Sequence, residues 1–463
     1  MSKYKTPGSY VERVNGVRVA NDLPSTSIGG IIGTCERGIA NKPVLITSWS
    51  QFLEKFAKGV DNPFIVGNLA DAVYGFFANG GTEIYVARAV NTGVKASATL
   101  SESEITVKAK EEGTWGNNLH VEIKNEAVFR TASHTLVVKY KGVVVEEIKG
   151  LTDENFLQTV NSTSKFIEIT GGTSLEAGSG TLSGGSEQAN NVASFKACLS
   201  KFDVIEDINM LAITGETATG IQEALVEYCT SRGTIFPVID VPMNLSLEEV
   251  MAYKDKFSSH VGALYYPNIV IQDLVTGESK TVAPSGHVMG MYARTDSERG
   301  VHKAPAGVEA TLNGAIAVET ELSHTEQGIL NDYEINCIVP KKGCGIVVWG
   351  ARLLKTNGER QFVSDLRLDM YVEELVRRNT EWAVFEPKDS KLFSDVTTTL
   401  TGLMMTGWQE GKYLGDKPED AFYVKCDKEL NPDLLSSELH IEVGYAKKKP
   451  AEFVITKISH KQS

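Results

Sequence analysis

Ser285-Gly286-His287 sets a hydroxyl two residues from an imidazole, the pairing that acyl-transfer chemistry would need. Successive side chains in a helix point about 100° apart, and no G-x-S-x-G elbow surrounds these residues. A helix beginning at Pro284 accounts for Ser285 more simply. Thr214-Gly215-Glu216-Thr217-Ala218-Thr219-Gly220 follows an apolar run, where a phosphate loop would lie. Its two glycines are five apart, no Lys-Ser/Thr follows, and Glu216 would repel phosphate, so a tight turn is the plainer reading. Gly178-Ser179-Gly180 matches no dinucleotide fingerprint. The eight histidines lack metal spacing; His287, His302 and His324 share a region without forming a ligand set. Among 59 acidic residues no pair stands out as acid and base. No catalytic, cofactor-binding or metal residue is therefore assigned, and the expectation is a protein that is not an enzyme.

The elements that would position such groups are more informative. Ile28–Gly33 reads as a buried strand, Ser50–Phe56 and Pro63–Phe77 as helices, and Glu83–Ala89 as a strand after the Asn79-Gly80-Gly81 stop. Residues 96–190 alternate (Ile105/Val107, Leu119/Val121/Ile123, Leu136/Val138/Tyr140) between turn residues, which predicts an all-β module. Gly171–Gly185 reads as a loop. Strands at Met210–Thr214, Thr234–Val241 and Ala263–Tyr266 alternate with helices, one opened by the Ser246/Glu249 capping box. That order predicts a parallel sheet with helices on its faces. Helices near Ser364–Asn379 and Ser390–Gln409 precede an alternating pair, Ala421–Asp427 and Leu439–Tyr445.

At 463 residues the chain exceeds one core. No apolar run spans a bilayer and no signal peptide follows Met1, so neither secretion by signal peptide nor direct membrane insertion is expected. Six scattered cysteines fit free thiols in a reducing compartment. A net charge of −13 argues against nucleic-acid partners. The charge is uneven. Residues 1–18 carry four basic groups against Glu12, a balance of +3, and residues 445–463 carry five against Glu452, a balance of +4. The remainder is then −20.

Each end also carries a lone strand pattern. Gly8–Val14 follows Pro7, and Glu452–Ile458 follows Pro450, with no neighbouring strand to pair with. A strand must satisfy its ladder of N–H and C=O groups, on its own domain or on another chain's sheet edge. Basic ends on an acidic body suit arms that reach onto other copies.

Longer ordered motifs connect these parts. Pro7-Gly8-Ser9-Tyr10-Val11-Glu12 opens the chain, followed by Gly33-Thr34-Cys35-Glu36-Arg37-Gly38 with Pro43-Val44-Leu45, and by Phe76 to Arg88. The run Pro284 to Gly307 reads Pro-Ser-Gly-x-x-x-Gly-x-Tyr-x-x-x-Asp-x-x-Arg-Gly-x-x-x-Ala-Pro-Ala-Gly. Ala421–Asp427 and Pro450-Ala451-Glu452-Phe453-Val454 close the series. In these motifs the chain resembles the contractile phage tail sheath protein family, including sheaths of phage-tail-like bacteriocins and contractile injection systems. The resemblance spans both termini and most of the chain outside 96–190, where Gly113–Leu119 alone is familiar.

The resemblance implies an α/β and α+β multidomain fold: a sheath core with a doubly wound α/β segment, an inserted all-β module, and extended N- and C-terminal β-strand arms. The expected divisions are an arm at 1–20, core at 21–95, the module at 96–190, an α/β domain at 191–345, an α+β domain at 346–444, and an arm at 445–463. It implies a self-assembling subunit of stacked hexameric rings around an inner tail tube protein, working with baseplate and tail terminator or collar proteins, without a cofactor. The strands expected to cross between subunits are Tyr10, Val11, Glu12 and Val14, and Phe453, Val454, Ile455 and Ile458, with hinges at Gly16, Gly444 and Pro450. The rival readings are a non-contractile shell protein and a cytoplasmic α/β enzyme.

Overall fold

A computed structural model describes residues 22–57, 67–100, 104–128, 131–172, 174–356 and 360–452. It divides into two units: residues up to Pro24 with Val372–Lys447, and Ser25–Tyr371 with Lys448 onward.

The larger unit is organised by one eight-stranded sheet. Its first strands are β1 (Gly29–Gly33), β2 (Val44–Ile46) and, after helix α1 (Asn68–Ala78), β3 (Ile84–Arg88). The chain returns to the sheet with β4 (Met210–Ile213), helix α2 (Thr219–Arg232), β5 (Phe236–Ile239), helix α3 (Leu247–Lys254) and β6 (Ala263–Tyr266). Helices α4 (Ser285–Arg299) and α5 (His324–Asp332) precede the hairpin β7 (Asn336–Lys341) and β8 (Gly345–Val348). The strand order is β2-β3-β1-β4-β5-β6-β7-β8, parallel from β3 to β7 with an antiparallel strand at each edge. Residues 21–95 and 191–345 thus feed the same sheet.

Both faces are covered, which is why these strands read as unbroken apolar runs. Ile31, Met210, Ala212, Phe236, Val238 and Tyr265 share a core with Val73 and Phe76 of α1 and Val288, Met289 and Tyr292 of α4. On the other face Ile32, Leu211 and Ile213 pack against Ile221, Leu225 and Cys229 of α2. Ile239, Leu264 and Tyr266 pack against Val250 and Tyr253 of α3.

The crossing of α1 and α4 is close because it is made of glycine. A Cβ on Gly286 would overlap the Ala72 carbonyl, and one on Gly290 the Phe76 carbonyl. The Pro-Ser-Gly-x-x-x-Gly spacing is therefore a helix-contact motif. The chain between β6 and β7 also contributes an antiparallel three-stranded sheet, Ser279–Val282, Ile269–Gln272 and Ala315–Val318.

The inserted module forms its own core around Trp115, Leu119, Val121, Leu136 and Tyr140. It departs from the all-β expectation at Phe156–Thr163, a helix that buries Phe156 and Val160, and at a 3-10 helix over Thr114–Asn118. The Gly171–Gly185 stretch is not simply a loop. Gly178–Thr181 pairs antiparallel with His120–Ile123. A main-chain ladder needs no side-chain alternation, so composition hid this strand.

The smaller unit contains the end of helix α6 (Val363–Thr380), helix α7 (Ser390–Gln409), and an antiparallel pair, β9 (Phe422–Lys425) and β10 (Glu442–Tyr445). Asp389 caps α7 through the amides of Lys391 and Leu392. Leu392, Phe393, Val396, Leu400, Leu403 and Met404 form its buried stripe.

Candidate assembly interface

The carboxyl ends of the parallel strands are where a doubly covered sheet would bind a ligand. Here that crevice is filled by the chain's own groups. Asp240, directly after β5, is fully buried at the N-terminus of α4. Its carboxylate accepts from the Ser285 amide at 3.0 Å, the Ser285 hydroxyl at 2.7 Å and the Gly215 amide at 3.1 Å. It occupies the place where a helix N-terminus would hold an anion. Burial pushes its pKa up to about 6 against these hydrogen bonds. Asn68 accepts from the Thr34 amide at 2.7 Å and reaches Glu216 at 3.5 Å. Ser285 is thus spent on Asp240, and His287 lies in the α1–α4 contact beside Gly75. Neither ring nitrogen of His287 has a hydrogen-bond partner among the described residues. Burial drives its pKa down to about 4. Ser285 and His287 do not form a nucleophile and base.

Arg37 and Arg88, both in quoted motifs, are buried where the central sheet meets the inserted module. Arg37 pairs with Glu111 at 3.1 Å and stacks its guanidinium on Phe166 at 4.3 Å. Arg88 donates to the Cys35 carbonyl at 2.7 Å and pairs with Glu187. Tyr140 of the module donates to Glu36 at 3.1 Å. These contacts fasten the module to the core with charge-assisted hydrogen bonds. Sequence reasoning had the residues in view but not this task, because their partners lie up to 128 positions away.

The expected arm residues Tyr10, Val11, Glu12, Val14, Gly16, Phe453, Val454, Ile455 and Ile458 lie outside the described residues. The residues adjoining both expected arms, Asp22 and Pro450–Glu452, are described. Asp22 is gripped by Asn379 of α6: the Asp22 amide donates to Oδ1 at 3.1 Å, and Nδ2 donates to the Asp22 carbonyl at 2.8 Å. One asparagine amide thereby satisfies both main-chain groups of a passing residue, as a strand partner would. The same clamp recurs at Asn41–Val90, Asn117–Gly185 and Asn431–His440.

At the other end Pro450, Ala451 and Glu452 line a groove of about 510 Å³ together with Trp349, Gly350 and Phe362. Arg352 Nε donates to Glu452 at 3.0 Å and Asn331 donates to the same carboxylate at 3.1 Å. Lys449 lies 3.4 Å from Asp365. Gly444 is inside β10 opposite Tyr423, and its missing Cβ leaves room for the Tyr423 ring. β9 and β10 make a two-stranded sheet, so each strand has one edge without a partner strand among the described residues. Such an edge can accept a further strand. The same unit exposes Phe385 and Leu435 completely, and Val384 and Tyr423 by more than half.

No cluster of three or more His, Cys, Asp or Glu residues is arranged to hold a metal among the described residues. Among them, no helix is long and apolar enough to cross a membrane.

Asp240 and Ser285 thus occupy the crevice at the sheet's carboxyl ends, Arg37 and Arg88 brace the inserted module, and β9 and β10 each keep an edge without a partner strand among the described residues. Residues 191–352 match the family model of the phage tail sheath protein central domain. The tail sheath protein of Escherichia phage P2 is 21% identical over 247 residues, 52% of this chain and 61% of that protein. The stretch matched is thus less than two thirds of that relative. Among solved structures, the sheath complex of the extracellular contractile injection system PVC in its contracted state aligns with a TM-score of 0.62 at 19% identity, covering 100% of this chain and 99% of that one. The sheath tail protein of Desulfitobacterium hafniense aligns with a TM-score of 0.68 at 12% identity, covering 95% and 100%. These likenesses show a shared fold.

Proposed function

We propose that the chain is the subunit of a contractile sheath that polymerises as stacked hexameric rings around an inner tube and shortens to drive that tube through a target envelope. The observation that carries this reading is the sheath central domain at 191–352 within a fold that aligns over the whole chain with a contracted sheath. The terminal strands, centred on Tyr10–Val14 and Phe453–Ile458, add to sheet edges of neighbouring copies, with the β9–β10 pair as acceptor. Main-chain ladders bear tension without depending on side-chain detail. A joint near Gly16 lets subunits turn while the ladders persist.

No nucleotide is required. New body-to-body contacts of about a few kcal/mol per subunit, summed over many rings, supply a one-way driving force. Exposed Phe385, Leu435 and Val384 offer apolar surface for such contacts. Baseplate and terminator or collar proteins would start and bound the polymer. Negative-stain microscopy of the expressed protein tests the reading: striated hollow tubes support it, whereas flat sheets or discrete particles would replace it with a shell protein or an enzyme.

A further inference from the structure

We propose that Arg352 and Asn379 are positioning residues that anchor the two terminal segments at Glu452 and Asp22, so that load on either arm enters the body at these side chains. This rests on the reading that the arms link subunits.

At the C-terminal root the path can be followed atom by atom. Glu452 is held bidentately by Arg352 and again by Asn331. Arg352 is itself fixed at the main chain. Its amide donates to Asn336 Oδ1 at 2.6 Å, and Asn336 Nδ2 donates to the Arg352 carbonyl at 2.8 Å. The same Nδ2 lies 3.2 Å from the Leu264 carbonyl. Asn336 is fully buried in β7, and Leu264 is in β6, in the interior of the eight-stranded sheet. A pull on the segment after Glu452 thus passes through a planar, two-pronged ion pair into the central sheet. Bidentate arginine–carboxylate pairs suit this because two parallel hydrogen bonds resist rotation as well as separation. Lys449 on Asp365 adds a second tether three residues upstream.

The N-terminal root uses the amide clamp. Asn379 is buried, and its Nδ2 also donates to the Leu375 carbonyl at 2.8 Å, which locks the side chain to α6. Asp22 is therefore held by both main-chain groups, whatever side chain it carries. In each unit the clamped pair is distant in sequence: Asp22 and Asn379 are 357 positions apart, and Arg352 and Glu452 are 100 apart.

The test uses the full-length soluble subunit and its polymer. Hydrogen exchange by mass spectrometry should show the segment around Ala451–Glu452 exchanging about tenfold faster in Arg352→Gln and Glu452→Gln than in the parent, with α4 unchanged. The double swap Arg352→Glu/Glu452→Arg should restore protection, which a merely misfolded variant would not. Asn379→Ala should release the segment around Asp22 in the same way. Tubes assembled from Arg352→Gln should come apart at a lower urea concentration than parental tubes. Exchange at the roots unaltered by these substitutions would overturn the anchor. Failure of the parent itself to form tubes would instead overturn the sheath reading, and the exchange data would still decide the anchor.

Discussion

The Ser285 hydroxyl and the Asp240 carboxylate meet at 2.7 Å beneath the first turn of α4, inside the crevice where α/β proteins usually bind ligands. The contact joins the end of β5 to the helix that carries the glycine crossing. It converts a potential anion site into an internal brace.

Stability should record this brace. Asp240 titrates near 6 when folded and near its ordinary 3.8 when unfolded, so the folded state binds the proton more tightly. Its contribution is fully present below about 4 and is lost as pH rises through about 6. Asp240→Asn should remove a slope on the order of 1–2 kcal/mol between pH 4.5 and 7. Urea unfolding across that range measures it; an unchanged slope would contradict the assignment.

His287 should act with the opposite sign. Its folded value near 4 lies below the ordinary 6.5, so stability is present above 6.5 and is lost as pH falls toward 4. His287→Leu, similar in volume and without unmet nitrogens, is expected to lose about 1–2 kcal/mol less between pH 6.5 and 4.5 than the parent. The same urea series reads this out.

Glycines in two helices should respond in opposite directions. Gly290→Ala forces a methyl against the Phe76 carbonyl and should cost about 3 kcal/mol or more. Gly402→Ala in α7 meets nothing within 4 Å and should gain about 0.5–1 kcal/mol. Thermal unfolding of the pair separates close packing from helix propensity.

Cutting the Arg37 clasp should loosen the inserted module. Arg37→Met strands Glu111 and is expected to cost about 3–5 kcal/mol, with Glu111→Gln in the same chain recovering part of it. Faster proteolysis within 96–190, with α4 still protected, would show that the module has come free. Equal proteolysis throughout would refute this role for Arg37.

Deleting residues 1–14 should abolish tubes of normal length. The basic arms should also make assembly weaken as salt is raised from about 0.05 to 0.5 M, where screening shortens to a few ångströms. Tube yield by sedimentation measures both. Normal tubes from the deletion would remove the N-terminal arm from the mechanism, and a yield indifferent to salt would remove electrostatic seating alone.

Local signals were enough for the strands Ala263–Tyr266 and Ile84–Arg88, the Ser246/Glu249 capping box and the stripe on α7, because period, caps and turn residues act within a few positions. The ordered motifs also carried the resemblance to tail sheath proteins, whose central-domain model matches residues 191–352. Three things were decided only by the folded chain. Gly178–Thr181 became a strand through main-chain pairing that composition does not encode. β1 and β3 joined the sheet of β4–β7 across more than a hundred intervening residues. Arg37, Arg88, Asn336, Arg352 and Asn379 acquired their tasks from partners distant in sequence. A motif fixes which groups are available, whereas burial and long-range hydrogen bonding determine what each of them holds.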